Sequence, residues 1–136
     1  MSAGDNPTRL SELSAAEKMI LALKGDQETR LKLVQDINRT VWGAVLSSPN
    51  TNEHDAEIIS EMRGVQPDVL REIAKTREWT RRYKVCLNLV MNPVTPEATA
   101  LALLARLSKE DLERVSACED LSSRIRGRAK ELRAAR

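Results

Sequence analysis

The chain has no phenylalanine, one histidine, two cysteines and five glycines in 136 residues, and its aromatics are Trp42, Trp79 and Tyr83 alone. Any core must therefore be assembled mainly from Leu, Ala, Val and Ile. Cys86 and Cys118 are isolated and share no metal-ligand spacing with His54. The glycines, scattered at 4, 25, 43, 64 and 127, form no phosphate-cradling loop. No apolar run approaches the roughly 20 residues that span a bilayer, and Met1 to Pro7 lacks the basic and apolar blocks of a secretion signal. The expectation is a soluble, cytoplasmic protein whose cysteines are reduced core thiols. His54 falls at the polar start of a helix, and the adjacent acids Glu110-Asp111 and Glu119-Asp120 point in different directions round a helix. No catalytic, cofactor or metal residues are assigned, and the reading is a non-enzyme.

What is present is enough for one domain, since a chain of this size with 41% apolar and 31% charged residues can bury a core without staples. The helical period dominates and strand alternation is absent, so the fold class is all-α with about nine short helices. Ser14-Ala15-Ala16-Glu17 has capping-box form and opens a helix to about Leu23, with Gly25 expected to end it in the left-handed conformation. Asp26 caps a second helix bearing Leu31, Leu33, Val34 and Ile37. A third holds Val41 to Leu46 and stops before Pro49. Thr51 or Asn52 caps a fourth, which Gly64 stops, and Pro67 opens a fifth through Ala74. A sixth is predicted from about Thr80 to Val90. Thr95 as cap with Pro96 at the first position opens a seventh, Ser108 an eighth, and Ser122 a ninth bearing Ile125, Ala129 and Leu132. Trp42 reads as core, and Gly43, costly inside a helix, predicts a neighbouring helix in close approach beside it.

The chain also repeats itself. Displaced by 44 positions, Val41 falls on Val85, Val45 on Leu89, Pro49 on Pro93, Thr51 on Thr95, Glu53 on Glu97 and Ile59 on Leu103. At 42, Leu70 falls on Leu112, Ile73 on Val115 and Trp79 on Leu121. A period of this size predicts an α-solenoid, whose units bury their faces only by stacking. The expected organisation is a flexible segment over 1–13, an N-terminal helix pair over 14–37 polar enough to cap one end, repeats over 38–80 and 81–121, and a basic capping helix over 122–136.

The segment Val85-Cys86-Leu87-Asn88-Leu89-Val90-Met91-Asn92-Pro93-Val94-Thr95-Pro96-Glu97 resembles the unit of the bacterial leucine-rich variant repeats, a HEAT-like group in which an apolar helix runs into Asn-Pro-x-Thr-Pro and a second helix. The similarity is closest over 85–104, looser over 41–62 and faint elsewhere. It implies a right-handed solenoid serving as a binding scaffold, with no catalytic residues to carry over. Some proteins of that group also hold an iron–sulfur module on clustered cysteines. The isolated Cys86 and Cys118 depart from that pattern, and no cluster is inferred.

Charge supplies the remaining signal. Residues 1–74 carry 8 basic and 12 acidic side chains, residues 75–136 carry 14 and 8. The segment from Lys75 to Lys84 combines Arg77, Arg81, Arg82 and Lys84 with Trp79 and Tyr83, the composition of a site for phosphates, acidic peptides or stacked bases. The competing reading puts Trp79 and Tyr83 into the inter-repeat core. Arg124, Arg126, Arg128 and Arg133 offer a second anionic contact at the C-terminus, or simply solubilise the exposed end of the stack. The leading expectation is a noncatalytic protein-interaction module with a partner protein in its groove. The alternative is a binder of nucleic acid or a phospho-ligand through the two basic segments, and a homodimer through a terminal helix is compatible with either.

Overall fold

The computed structural model describes residues 7–136. Among them are ten α-helices and no strand: α1 (Ala15–Lys24), α2 (Gln27–Leu33), α3 (Arg39–Ser47), α4 (Glu53–Ser60), α5 (Pro67–Lys75), α6 (Arg77–Thr80), α7 (Tyr83–Met91), α8 (Glu97–Leu103), α9 (Lys109–Ala117) and α10 (Ser123–Ala134). Two 3-10 segments, Pro7–Glu12 and Leu104–Arg106, complete the regular structure. The first lies within the 1–13 segment predicted to be flexible, and its Leu10 packs on the core; residues 1–6 of that segment lie outside the described residues.

Short polar caps set most helix starts. Ser14 Oγ accepts from the Glu17 amide at 3.2 Å while Glu17 accepts from the Ser14 amide at 2.9 Å. Asn52 and Asp55 form the same reciprocal pair on α4, so Asn52 rather than Thr51 is its cap. Asp26, Asn38, Ser108 and Ser122 each accept one free amide of the helix that follows.

Four expectations need correction. The predicted helix from Thr80 is two elements, because the chain turns once as α6 and restarts at Tyr83, which makes ten helices instead of about nine. Gly25 is extended, at φ −73°, not left-handed. It is needed for space, since a Cβ there would stand 2.6 Å from the Leu21 carbonyl oxygen and 2.9 Å from Thr29 Cγ2. Thr95 does not cap α8. Pro96 occupies that position and the buried Thr95 hydroxyl has no hydrogen-bond partner. The N-terminal pair is not a polar cap either: α1 exposes Met19, Ile20 and Leu23, and Ile37, beyond the end of α2 at Leu33, is 82% exposed.

The helix boundaries follow the sequence period. α3 and α7 begin and end 44 positions apart, α4 and α8 begin 44 apart, and α5 and α9 begin 42 apart. Asn38 and Arg82, the residues preceding α3 and α7, share the same backbone angles, φ −76° and ψ 118°. Helices near in the chain touch one another: α1 on α3, α2 on α4, α3 on α5, α4 and α5 on α7, α7 on α9, and α8 and α9 on α10. Their apolar faces form one continuous core, from Ala22 and Val34 through Ile59, Leu70 and Leu89 to Leu112 and Ala129. Both cysteines are free, Cys86 buried and Cys118 half-buried.

Two polar joints lie within this packing. Between α2 and α4, Arg30 and Asp55 pair at 2.8 Å with side chains only 8% and 1% exposed. Gln27 donates to the second Asp55 oxygen at 2.6 Å, and Arg30 also donates to the Gly25 carbonyl at 3.1 Å. Burial pushes the Asp55 carboxyl up, and the hydrogen bonds from Gln27, Arg30 and the Asn52 amide outweigh it and hold the group below its ordinary value. Between α4 and α7, Asn88 donates to the Glu57 carbonyl at 3.2 Å and to Ser60 Oγ at 3.1 Å, and Asn92 to the Ser60 and Met62 carbonyls at 3.0 and 2.8 Å. The two amides thus satisfy carbonyls that the end of α4 leaves free.

Candidate functional site

The basic and aromatic segment over 75–84 is divided by the fold. Trp79 turns inward on α6 and is 9% exposed, whereas Tyr83, at the start of α7, keeps 42% exposure. Its hydroxyl donates to Asp111 at 2.5 Å and accepts from the Ser108 amide at 2.9 Å, which ties α7 to the start of α9. Asp111 sits below its ordinary carboxylate value chiefly through this Tyr83 bond. Arg82 bridges Glu53 and Glu57 of α4 at 3.2 and 3.1 Å. Arg77, Arg81 and Lys84 form no ion pair among the described residues, and all three are exposed. Thus three of the six residues are engaged within the protein and three cations face outward.

The C-terminal cations fold back in the same way. Arg124 meets Glu97 at 3.5 Å, Arg128 meets Glu131 at 3.0 Å and Arg133 meets Glu113 at 2.5 Å. Arg126 donates to the Leu121 carbonyl at 3.1 Å, and Arg136 donates to the Leu107 carbonyl. Arg124 ties α10 to α8 and Arg133 ties it to α9, while Arg126 and Arg128 are held within or beside α10 itself. They do not form a free stripe of charge.

A cavity of about 300 Å³ opens beside this segment, where α3 faces α5 and α6. Trp42 and Trp79 line it, with Leu46 and Gly43 from α3, and Arg39, Glu72 and Thr76 among its polar residues. The Arg39 guanidinium lies over the Trp42 ring, 5.3 Å from its centroid. Gly43 contradicts its prediction: a Cβ there would meet nothing within 4 Å, so no helix approaches closely. Gly43 lines the cavity without contributing a side chain. Trp79 alone of the residues assigned from the sequence lines it. Arg39 and Glu72 were missed, Thr76 lay in the candidate segment without being assigned, and Gly43 was read as a helix contact and not as part of a cavity.

No family model, curated protein or solved structure matches the chain.

Among the described residues, no three His, Cys, Asp or Glu side chains gather in a way that could hold a metal ion. His54 is exposed in the first turn of α4, as its polar neighbours predicted. Cys86 donates to the Thr80 carbonyl at 3.2 Å, and burial raises its thiol above the ordinary value against the pull of Arg106. That environment makes a protonated, unreactive thiol. Among the described residues no helix is long and apolar enough to cross a membrane.

Proposed function

We propose that the chain is a noncatalytic protein-interaction module, a short α-solenoid of HEAT-like units similar to the bacterial leucine-rich variant repeats. The observation that carries this reading is the recurrence of whole helices at the sequence period, with α3 and α7 displaced by 44 at both ends and entered through the same backbone angles. Units that touch mainly their neighbours build a surface by addition, and such surfaces serve recognition. The open cavity between α3 and α5 is the feature of that surface best shaped to receive a side chain of a partner. A nucleic-acid or phosphate ligand draws less support, because Trp79 is withdrawn from base stacking and Arg82 and the α10 arginines are already paired.

The test is capture of partners by the tagged chain from its native cell, in nuclease-treated and untreated halves, followed by reconstitution from purified components. A protein retained after nuclease that re-forms a stoichiometric complex in sedimentation supports the module. Partners lost with nuclease, affinity falling steeply with salt, or turnover of a small molecule would replace it.

A further inference from the structure

Glycine inside a helix costs roughly 1 kcal/mol relative to alanine, a cost usually explained by the close approach of another backbone. At Gly43 that explanation fails, since the position faces open space. Its counterpart one period later, Leu87, is 6% exposed and closes the equivalent position of α7. The glycine therefore leaves the first unit open where the second is filled, and two buried indoles line the opening.

Those indoles make the cavity donor-rich. Trp42 is 3% exposed and Trp79 9%, yet no described residue accepts a hydrogen bond from either indole N–H, and neither nitrogen is sealed from solvent. Water reaches each N–H, and a partner's carbonyl can take that water's place. Arg39 adds a guanidinium whose side chain is 72% exposed and whose ionic contact, Asp68 at 3.5 Å, is shared with Arg71. Glu72, the acid in the lining, is offset by Lys75 at 3.6 Å. Arg77, next in sequence to Thr76, has no ion pair. A cation entering here would meet Arg39 already on the face of Trp42, so the occupant the cavity favours is an acceptor-bearing anion.

We propose that this cavity binds an acidic side chain of a partner's peptide segment, with its carboxylate on Arg39, its apolar stem over the Gly43 opening, and neighbouring carbonyls accepting from Trp42 and Trp79. The assignment rests on the protein-interaction reading and names the chemistry of the partner. A single carboxylate with its stem and adjoining peptide group suits a cavity of about 300 Å³, the small end of ligand sites.

Because Trp42 and Trp79 are the chain's only tryptophans, intrinsic fluorescence reports on this cavity alone. Random dodecapeptides displayed on phage are panned against the full chain, and the selected peptides are titrated while tryptophan emission is followed. The expected result is enrichment of Asp- and Glu-containing peptides that shift the emission saturably and lose at least tenfold in affinity in Gly43→Leu and in Arg39→Gln. Gly43→Leu should keep a cooperative melting transition, since its Cβ meets nothing within 4 Å; Arg39→Gln serves if that variant does not fold. Enrichment of basic or purely apolar peptides, no enrichment, full binding by Gly43→Leu, or displacement by inorganic phosphate at equal concentration would overturn the assignment. The two proposals fail separately. A reconstituted partner still held by Gly43→Leu removes the cavity and leaves the module, whereas acidic-peptide binding without any cellular protein partner does the reverse.

Discussion

The first unit, α3 to α5, and the second, α7 to α9, share the spacing of their helix starts but cap them with different residues and fill their equivalent positions differently. Gly43 stands where the second unit has Leu87, Arg39 where it has Tyr83, and Ala44 and Ser48 where it has Asn88 and Asn92. The second unit spends these positions on closure: Leu87 is buried, Tyr83 is tied to α9, and the two asparagines clamp the end of α4. The first leaves a cavity at the same place. Even the shared threonine differs, for Thr51 donates to the Val45 carbonyl at 2.5 Å while Thr95 has no partner. The matching helix starts thus share spacing, and the side chains at each decide whether the position is sealed or open.

The largest expected effect comes from the polar joint ahead of the first unit. Asp55→Asn leaves the Arg30 charge buried without its counter-ion and should cost about 3–5 kcal/mol in urea unfolding; a loss below about 1 kcal/mol would show that the joint is hydrated. The pH dependence follows from the same group. Its folded pKa is depressed, so its contribution is complete above the ordinary carboxylate range and is lost as pH falls through the lowered value. Acid unfolding below about pH 4 should therefore be shallower in Asp55→Asn than in the parent.

Next in size is the sealed position of the second unit, where Leu87→Ala should cost about 2–4 kcal/mol. Asn92→Ala, which strips the Ser60 and Met62 carbonyls of their donor, should cost about 1–3 kcal/mol. Equal melting temperatures for parent and Asn92→Ala would mean that water replaces the amide. The open position should respond with the opposite sign: Gly43→Ala should gain about 1 kcal/mol, since helix propensity improves and nothing clashes. Destabilisation there would reveal a contact the geometry lacks and would erase the contrast with Leu87. Smallest is Thr95→Val, which removes the orphaned buried hydroxyl and should stabilise by up to about 1 kcal/mol.

Much of the helical layout was legible because its causes are local. Ser14 with Glu17, Asp26, Ser108 and Ser122 cap where their spacing predicted, and Pro49, Pro67 and Pro93 bound the helices they were expected to bound. The exceptions involve space or competition. Gly25 signalled a helix end correctly but for the wrong reason, since the Leu21 carbonyl crowds it from a preceding turn. Thr95 lost the cap position to Pro96. The exposed apolar face of α1 was hidden because Met19, Ile20 and Leu23 look like any inward stripe until the neighbouring helix is seen to pack elsewhere. Of the cavity's lining, the sequence reading assigned Trp79 to a candidate site and remarked on Trp42 and Gly43 separately. It missed Arg39 and Glu72, which lie 40 and 7 residues from Trp79 in the chain and meet it only across α3 and α5.

Sequence alone determined that the chain is helical and where most helices begin, three of the starts recurring after 44 or 42 positions, because propensity, capping and proline act within a few residues. Tertiary structure alone decided which charges are spent on internal pairs, that Arg30 and Asp55 meet in the interior, and that Gly43 faces empty space while Leu87 is enclosed. Those outcomes depend on which surfaces approach one another, and a free cation and a paired one, or a crowded glycine and an open one, are written with the same letters.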